Sequence, residues 1–256
     1  MLILGIESAT PVASAALADE TGLLGETLLN VGLTHSEQLL PLIDDLLRQC
    51  RRTIRDVEGF GVSAGPGSFT GLRIGMATAK ALAQGLSAPP CERPRLAAIP
   101  TLEAMAIQLT GQPVCVSPML YARREQIYAG LYRWRKEGDE TCSVVGQRGK
   151  KDRLPAGLDS AWVLDCLIQP EAVAPEEWAG RLGGLGQAVY LLGDGAAAYE
   201  EVWRRILGQA AVILPPVLGL SRGAFIALAA LRILKEQTAG EDMPFYQIKP
   251  VYLRGI

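Results

Sequence analysis

Hydrophobic positions in the first hundred residues alternate between short apolar runs and helical spacing. Three apolar runs separated by turn residues predict a meander of strands, at residues 2–8, 12–18 and 23–31. Residues 36–51 carry apolar side chains at helical spacing, and an apolar run at 57–64 precedes a second helical stretch at 69–86. The order of three strands, a helix, a strand and a helix predicts an α/β fold with a mixed sheet.

The remainder of the chain continues this alternation of strands and helices. Strands are expected at residues 96–99, 114–116, 126–134, 142–145, 162–167 and 189–192, and helices at 101–109, 196–207 and 219–237. Residues 136–186 are the least regular part, because charges, prolines and glycines cluster there. We expect residues 1–100, completed by the C-terminal helix at 219–237, to form a first lobe, and residues 101–218 to form a second, smaller α/β lobe.

The loop at residues 65–71, here called the hub loop, joins the fourth strand to the second helix. Its three glycines and one proline predict a sharp reversal of the chain, and Ser68 or Thr70 is suited to cap the helix. Four small residues then recur at intervals of four, at Gly71, Gly75, Ala79 and Ala83. Such a row predicts a helix face that another helix approaches closely.

Composition excludes several classes of protein. With 49% hydrophobic residues the chain has enough apolar side chains for a core, and its net charge of −2 argues against unaided binding of nucleic acid. The five cysteines are scattered, without zinc-ligand or redox spacing, so we expect reduced thiols in a cytoplasmic protein. We also expect no targeting segment and no membrane-spanning run.

Two turns carry an acidic residue beside hydroxyl groups or glycines. Glu7 ends the first strand beside Ser8 and Thr10, at a turn where a phosphate and its metal would bind in some ATPases, but this turn lacks the glycine that lets a phosphate approach. We favour a structural turn over a remnant ligand site. The stretch from Gly193 through Asp194 to Gly195 is interpreted either as a ribose or phosphate contact or as a tight strand-to-helix turn.

Other candidate sites also have two interpretations. The hub loop is either an anion cradle at a helix start or, as we favour, a packing loop, since no Gly-Lys-Ser/Thr ends it. His35 is the only histidine, which excludes a metal site made of two histidines and predicts a capping or surface role. Two basic groups are interpreted as solvated loops or as RNA contacts made through a partner, at Arg123 and Arg124 and at Arg148, Lys150, Lys151 and Arg153.

Five motifs occur in a fixed order along the chain: IESAT at residues 6–10, HSEQLLP at 35–41, GPGSFTGLRIG at 65–75, GDGA at 193–196 and PVYLR at 250–254. Together they resemble the TsaB (YeaZ) family, a bacterial subunit of the machinery that makes threonylcarbamoyladenosine at position 37 of tRNAs. The resemblance runs from end to end, the GPGSFTGLRIG string is highly specific, and residues 136–186 contribute little.

The resemblance implies a two-lobe fold of the actin-like, sugar-kinase and Hsp70 (ASKHA) class. It also implies a subunit that is not an enzyme and binds no cofactor alone, with ATP and metal on its partners TsaD and TsaE and with tRNA reached through the complex. TsaD carries a metal-binding histidine pair spaced H-x-x-x-H, where this chain has Thr101 and Met105, which cannot replace two imidazoles. Many relatives also have aspartate at the positions of Glu7 and Tyr121, which weakens any nucleotide site here.

We therefore expect a scaffold whose first two helices bind TsaD, or pair two copies of this chain as a homodimer when TsaD is absent. The predicted interface residues are Leu39, Leu40, Ile43, Leu47, Phe69, Leu72, Arg73, Gly75, Met76, Ala79 and Ala83. The candidate remnant nucleotide contacts are Glu7, Ser8, Thr10, Gly193, Asp194 and Gly195, and no catalytic or metal residue is assigned. The alternatives are an ATP-dependent kinase or ATPase acting alone and, ranked lowest, a glycopeptidase-like hydrolase.

Overall fold

The computed structural model describes residues 1–32, 35–86, 94–138, 151–153, 161–236 and 247–253, with the backbone alone for 151–153. The chain divides into two compact units. Among the described residues, the first unit takes Met1–Ala104 and Ser221–Tyr252, and the second takes Met105–Leu154, Asp159–Leu220 and Leu253. The lobe boundaries expected at residues 100 and 218 stay predictions.

The described strands are β1 (Ile3–Glu7), β2 (Ala13–Asp19), β3 (Gly22–Leu29), β4 (Gly59–Gly65), β5 (Arg95–Pro100), β6 (Cys115–Ala122), β7 (Gln126–Lys136), β8 (Lys151–Arg153), β9 (Trp162–Val173), β10 (Val189–Leu192) and β11 (Ala211–Ile213). The described α-helices are α1 (His35–Gln49), α2 (Phe69–Gly85), α3 (Thr101–Ile107), α4 (Pro175–Gly183), α5 (Asp194–Ala198), α6 (Glu200–Leu207) and α7 (Gly223–Glu236). Short 3₁₀ turns occupy Ile54–Asp56, Gly208–Ala210 and Pro216–Gly219.

The first unit is a five-stranded mixed sheet in the order β3-β2-β1-β4-β5, with helices on both faces. β1 and β2 pair antiparallel, as do β2 and β3, whereas β1, β4 and β5 run parallel. On one face, Leu4, Ile6 and Phe60 pack with the apolar sides of α1 and α2. On the other face, Gly5 and Gly61 leave room for α7, since a Cβ at Gly5 would lie 2.4 Å from the carbonyl oxygen of Gly223. The unit is therefore three-layered, α/β/α.

The start of α7 is held by side chains of two strands. The hydroxyl of Ser14 accepts the N–H of Gly223 at 3.0 Å, and Glu26 accepts the N–H of Ala224 at 3.0 Å. Glu26 also forms an ion pair with Arg222, so one carboxylate satisfies both a helix N-terminus and a neighbouring cation.

The expectation of no membrane-spanning run is wrong on length and composition. Pro216–Glu236, which contains the last 3₁₀ turn and α7, is by length and composition alone a candidate for crossing a membrane, with 21 residues. However, 67% of its apolar window is buried inside the structure, and α7 contacts β1, β2 and β4. That burial is typical of a core helix.

The second unit repeats the strand order of the first. Its sheet has the order β11-β10-β6-β7-β9-β8. β6 is flanked by parallel β10 and by antiparallel β7, as β1 is flanked by β4 and β2. Three tryptophans fill its interior, Trp134, Trp178 and Trp203, each at most 1% exposed and each donating its indole N–H within the unit.

The predicted α/β class with a mixed sheet is confirmed, and most elements lie within a few residues of their predicted positions. The structure differs from the prediction in some places: the helix expected at 196–207 is interrupted at Tyr199, and α4, β8 and β11 were not predicted. The strand expected at residues 142–145 lies outside the described residues.

Candidate functional site

The hub loop is packed against the turn that follows β1. Ser68 caps α2 by accepting the N–H of Gly71 at 3.2 Å, and its own N–H donates to the carbonyl oxygen of Ala9 at 2.6 Å. At the end of β4, Gly65 has a φ of +113° and donates its N–H to the hydroxyl of Thr101 at 3.1 Å. The predicted Ser68 cap is confirmed, and these N–H groups are engaged by protein rather than left open for an anion.

The row of small residues on α2 faces the interior of the chain. A Cβ at Gly71 would lie 2.1 Å from the carbonyl oxygen of Ser8, and one at Gly75 would lie 2.1 Å from the Ser8 hydroxyl. Ala79 and Ala83 are fully buried in the core formed with α1 and the sheet. The row was predicted as a face that another helix approaches closely. In the structure it lets α2 approach the β1 turn and His35 of α1 within the same unit.

Eight of the eleven predicted interface residues are likewise covered within the first unit. They are Leu39, Ile43, Leu47, Leu72, Gly75, Met76, Ala79 and Ala83. Their helices turn these side chains toward the unit's own sheet, as an amphipathic helix does when it covers a core. The other three, Leu40, Phe69 and Arg73, are exposed, with Leu40 at 54% and Phe69 at 41% of their full accessibility.

Apart from Phe69 and Arg73, the solvent-facing residues of α2 were not among the predicted interface residues. The name outer face of α2 is used here for exposed Ala77, Ala81 and Gly85 with half-buried Ile74, Thr78 and Leu82. The helix contains no aspartate or glutamate. On neighbouring α1, by contrast, the exposed positions include Asp44, Asp45 and Arg48. The absence of acidic residues from the whole of α2 was the signal available in the sequence.

Residues 247–253, here called the C-terminal strap, lie across the hub loop and α2. The N–H of Val251 donates to the carbonyl oxygen of Ala64 at 2.7 Å, and Lys80 donates to the carbonyl oxygen of Ile248 at 2.6 Å. Ile248 is buried in the core of the first unit. Because a Cβ at Gly65 would lie 2.4 Å from the carbonyl oxygen of Val251, glycine is required where the strap crosses the loop.

An exposed cluster joins the strap to the start of α2. Tyr252 lies with its ring centroid 5.1 Å from that of Phe69, and the guanidinium carbon of Arg73 lies 3.8 Å from the Phe69 centroid. Arg73 also donates its Nε–H to the Tyr252 hydroxyl at 3.2 Å. Val251 beside it is 53% exposed. The cluster therefore combines aromatic surface with one cation.

The turn after β1 is closed around its own polar groups. Glu7 is fully buried; its Oε1 accepts the N–H of Ala9 at 2.6 Å, whereas no partner for its Oε2 occurs among the described residues. Burial raises the pKa of the Glu7 carboxyl to about 7, against the opposing effect of the Ala9 N–H. Ser8 donates to the carbonyl oxygen of Gly71 at 3.0 Å, and Thr10 accepts the N–H of Val12 at 3.3 Å. This geometry favours the structural turn.

His35 also serves this turn. Its Nε2 lies 2.8 Å from the carbonyl oxygen of Thr10, which assigns the proton to Nε2, and Nδ1 has no partner among the described residues. The side chain is buried, so of the two predicted roles, capping or surface, the surface role is wrong. Within the described part of the chain, no three His, Cys, Asp or Glu side chains gather as ligands of a metal ion.

The turn at residues 193–195 belongs to the second unit and follows β10. Gly193 has a φ of +102°, and a Cβ there would lie 2.1 Å from the carbonyl oxygen of Met119. Asp194 accepts the N–H of Tyr121 at 2.8 Å and so connects the turn to β6. Gly193 and Asp194 therefore each have a structural role in this turn. Arg123 and Arg124 are exposed at the β6–β7 connection, and the basic side chains at residues 148–153 lie outside the described residues.

Comparison with known proteins gives consistent relatives. Residues 30–254 match the family model TsaD, described as tRNA N6-adenosine threonylcarbamoyltransferase. The TsaB protein of Bacillus subtilis, named a tRNA threonylcarbamoyladenosine biosynthesis protein, is 33% identical over 208 residues, covering 81% of this chain and 77% of that protein. The Haemophilus influenzae TsaB is 26% identical over 221 residues, covering 86% and 80% respectively.

Solved structures give the same result for the fold. YeaZ from Pseudomonas aeruginosa superimposes with a TM-score of 0.69 at 22% identity, covering 98% of this chain and 99% of that one. With the two mixed sheets described above, this likeness confirms the predicted α/β fold, which the chain shares with YeaZ. The family model and the coverage of the Bacillus subtilis relative together show that the chain belongs to the TsaB (YeaZ) family.

Proposed function

We propose that this chain is a non-catalytic scaffold subunit for the synthesis of threonylcarbamoyladenosine in tRNA. It pairs with the catalytic paralogue TsaD, which transfers the threonylcarbamoyl group to adenosine 37, and the ATPase TsaE completes the assembly. Relatives named as tRNA threonylcarbamoyladenosine biosynthesis proteins support the pathway. ATP and metal belong to the partners, and tRNA is reached through the complex.

The outer face of α2 is the observation that carries the pairing. Ala77 and Ala81 are exposed on a helix without carboxylates, and the half-buried Ile74 and Leu82 lie beside them. A helix surface of small and apolar residues admits a partner helix at short distance, and it has little charge to desolvate on binding. Leu40, exposed on α1, adds apolar surface on a neighbouring helix.

The residues of this chain at positions expected to carry metal or nucleotide contacts in related proteins support a non-catalytic role. Thr101, aligned with one histidine of the TsaD pair, is buried and accepts the N–H of Gly65, and Met105 is buried in the second unit. Glu7 and Ser8 have their contacts inside the chain. Calorimetry of the purified chain with ATP and Mg²⁺ tests the alternative, since binding with turnover would support a kinase or ATPase acting alone.

A double substitution of Ala77→Arg and Ala81→Arg should weaken binding to TsaD about 100-fold or more, because two long cations would occupy the centre of the helix contact. The measurement is the dissociation constant between purified subunits, from calorimetry. Thermal unfolding should be nearly unchanged, since both positions are exposed. Without TsaD, the proposed homodimer should dissociate in the same variant, as measured by sedimentation.

The matched control is Ala198→Arg, which places the same side chain at an exposed alanine on α5 in the second unit. That variant should bind TsaD as the parent chain does. Equal affinities of the double variant and the control would contradict the assignment of the α2 face to the interface.

A further inference from the structure

Arg73 is immobilised on two sides by its own chain. The Phe69 ring covers one face of the guanidinium at 3.8 Å, and the Tyr252 hydroxyl accepts the Nε–H at 3.2 Å. Arginine normally loses rotamer freedom when it binds a partner. Here much of that freedom is already lost in the folded subunit, so the guanidinium is preorganised for binding.

The backbone that carries Tyr252 is fixed as well. The preceding residue, Val251, donates its N–H to Ala64 at the end of β4, and Ile248 is buried in the core. The strap therefore holds the tyrosine hydroxyl against α2, and its contacts with the hub loop determine the orientation of Arg73.

The two terminal nitrogens of Arg73 remain available. Among the described residues, no ion pair involves Arg73, and its one hydrogen bond uses Nε. The side chain is exposed. Two parallel N–H groups in one plane match the two oxygens of a carboxylate, an arrangement that lysine cannot reproduce.

The surroundings favour a carboxylate on a protein over a phosphate on RNA. Among the described contacts of this cluster, Arg73 is the cation that lies against Phe69 and Tyr252, with exposed Val251 beside them, and nearby Lys80 is bound to the carbonyl oxygen of Ile248. RNA binding draws on several basic groups, and the chain has a net charge of −2. One arginine ringed by aromatic and aliphatic side chains is typical of the strongest contacts in protein interfaces.

We propose that Arg73 is a preorganised carboxylate receptor that binds an aspartate or glutamate side chain of TsaD at the edge of the α2 interface. This inference rests on the proposed function. Within it, Arg73 provides charge-dependent specificity, while the outer face of α2 provides apolar contact.

The test is calorimetric titration of purified TsaD with four variants at low and moderate salt. Arg73→Gln should weaken binding about 30-fold or more, and Arg73→Lys about 10-fold, because the ammonium keeps the charge but loses the fork. Tyr252→Phe, which keeps the ring and removes the hydroxyl, should weaken binding a few-fold through lost preorganisation. Arg204→Gln, at an exposed arginine on α6, should bind as the parent chain does.

Binding of the parent chain should weaken with added salt more steeply than binding of Arg73→Gln, since the variant lacks the ion pair. Thermal unfolding of each variant checks that the subunit remains folded. If the parent chain and Arg73→Gln bind TsaD with equal affinity, the proposed carboxylate receptor is wrong. It is also wrong if Arg73→Lys binds as tightly as the parent chain, because a positive charge alone would then be sufficient.

The outcomes separate this inference from the function on which it rests. A parent chain that does not bind TsaD contradicts the proposed function itself. A parent chain that binds TsaD while Arg73→Gln binds equally well contradicts the receptor alone. If Arg73→Gln still binds TsaD but the resulting complex no longer binds tRNA, Arg73 contacts an RNA phosphate. That result would contradict the proposed contact with a carboxylate.

Discussion

Gly71→Ala is expected to lower the free energy of unfolding by about 3 kcal/mol, although alanine favours helix by about 1 kcal/mol over glycine. The new Cβ would lie 2.1 Å from the carbonyl oxygen of Ser8 and 2.9 Å from the His35 ring. A backbone carbonyl cannot rotate away as the end of a side chain can. The β1 turn and α2 must therefore separate, which breaks the bond from Ser8 to the Gly71 carbonyl. Urea unfolding followed by circular dichroism measures the loss.

Gly85→Ala is the matched control for this substitution. It lies on the same helix, and a Cβ there meets nothing within 4 Å. Alanine at this position should raise the free energy of unfolding by about 0.5 kcal/mol, through the reduced freedom of the unfolded chain. If Gly71→Ala proves as stable as Gly85→Ala, the close approach of α2 to the β1 turn is wrong.

Glu7→Gln is expected to stabilise the protein at alkaline pH and to have little effect at acidic pH. Burial raises the pKa of Glu7 to about 7 from its ordinary value of 4.5. Below about pH 4.5 both folded and unfolded chains hold the proton. Between that pH and about pH 7, the folded chain keeps it and the unfolded chain loses it, so the free energy of unfolding falls as pH rises. Above about pH 7 the buried carboxylate is charged in the folded chain as well, and the free energy of unfolding falls no further through this group.

Glutamine keeps the shape of the side chain and an oxygen for the Ala9 N–H, but it does not titrate. Its advantage over glutamate should therefore be small at pH 5 and reach about 3 kcal/mol at pH 8, measured by urea unfolding across that range. Glu201→Gln, which removes one exposed carboxylate from α6, controls for net charge and should show no such growth. A constant difference between Glu7→Gln and the parent chain at all pH values would contradict the burial of a titrating carboxyl.

The elements that the sequence predicted well are those whose pattern has one physical cause. The meander of β1 to β3 and the capped start of α2 follow from apolar runs, turn residues and a Ser68 side chain, and the structure contains them. By contrast, α4 lies in a stretch whose charges and glycines concealed the helical spacing of Trp178 and Leu182. The helical spacing there covers only a few residues, and the surrounding charges and glycines are more typical of a loop.

The candidate site shows a different limit. A row of small residues indicates that something approaches a helix closely, but the sequence alone does not say what approaches. At Gly71 and Gly75 the approaching group is the chain's own Ser8. The exposed Ala77 and Ala81 lie on the opposite side of the same helix. Helical spacing alone does not tell which of the two rows of small residues is buried and which is exposed. The position of the sheet decides between them, and that position depends on long-range strand pairing.

The repeated strand order makes the hub loop and the turn at residues 193–195 structural counterparts, since each follows the strand parallel to the central one. Both begin with a glycine at positive φ, Gly65 and Gly193, and in both a backbone oxygen occupies the space that a side chain would need. Steric crowding is therefore sufficient to require these glycines, without any contribution from a bound nucleotide. A glycine at such a turn is therefore not evidence of a ligand, and nucleotide binding has to be measured separately.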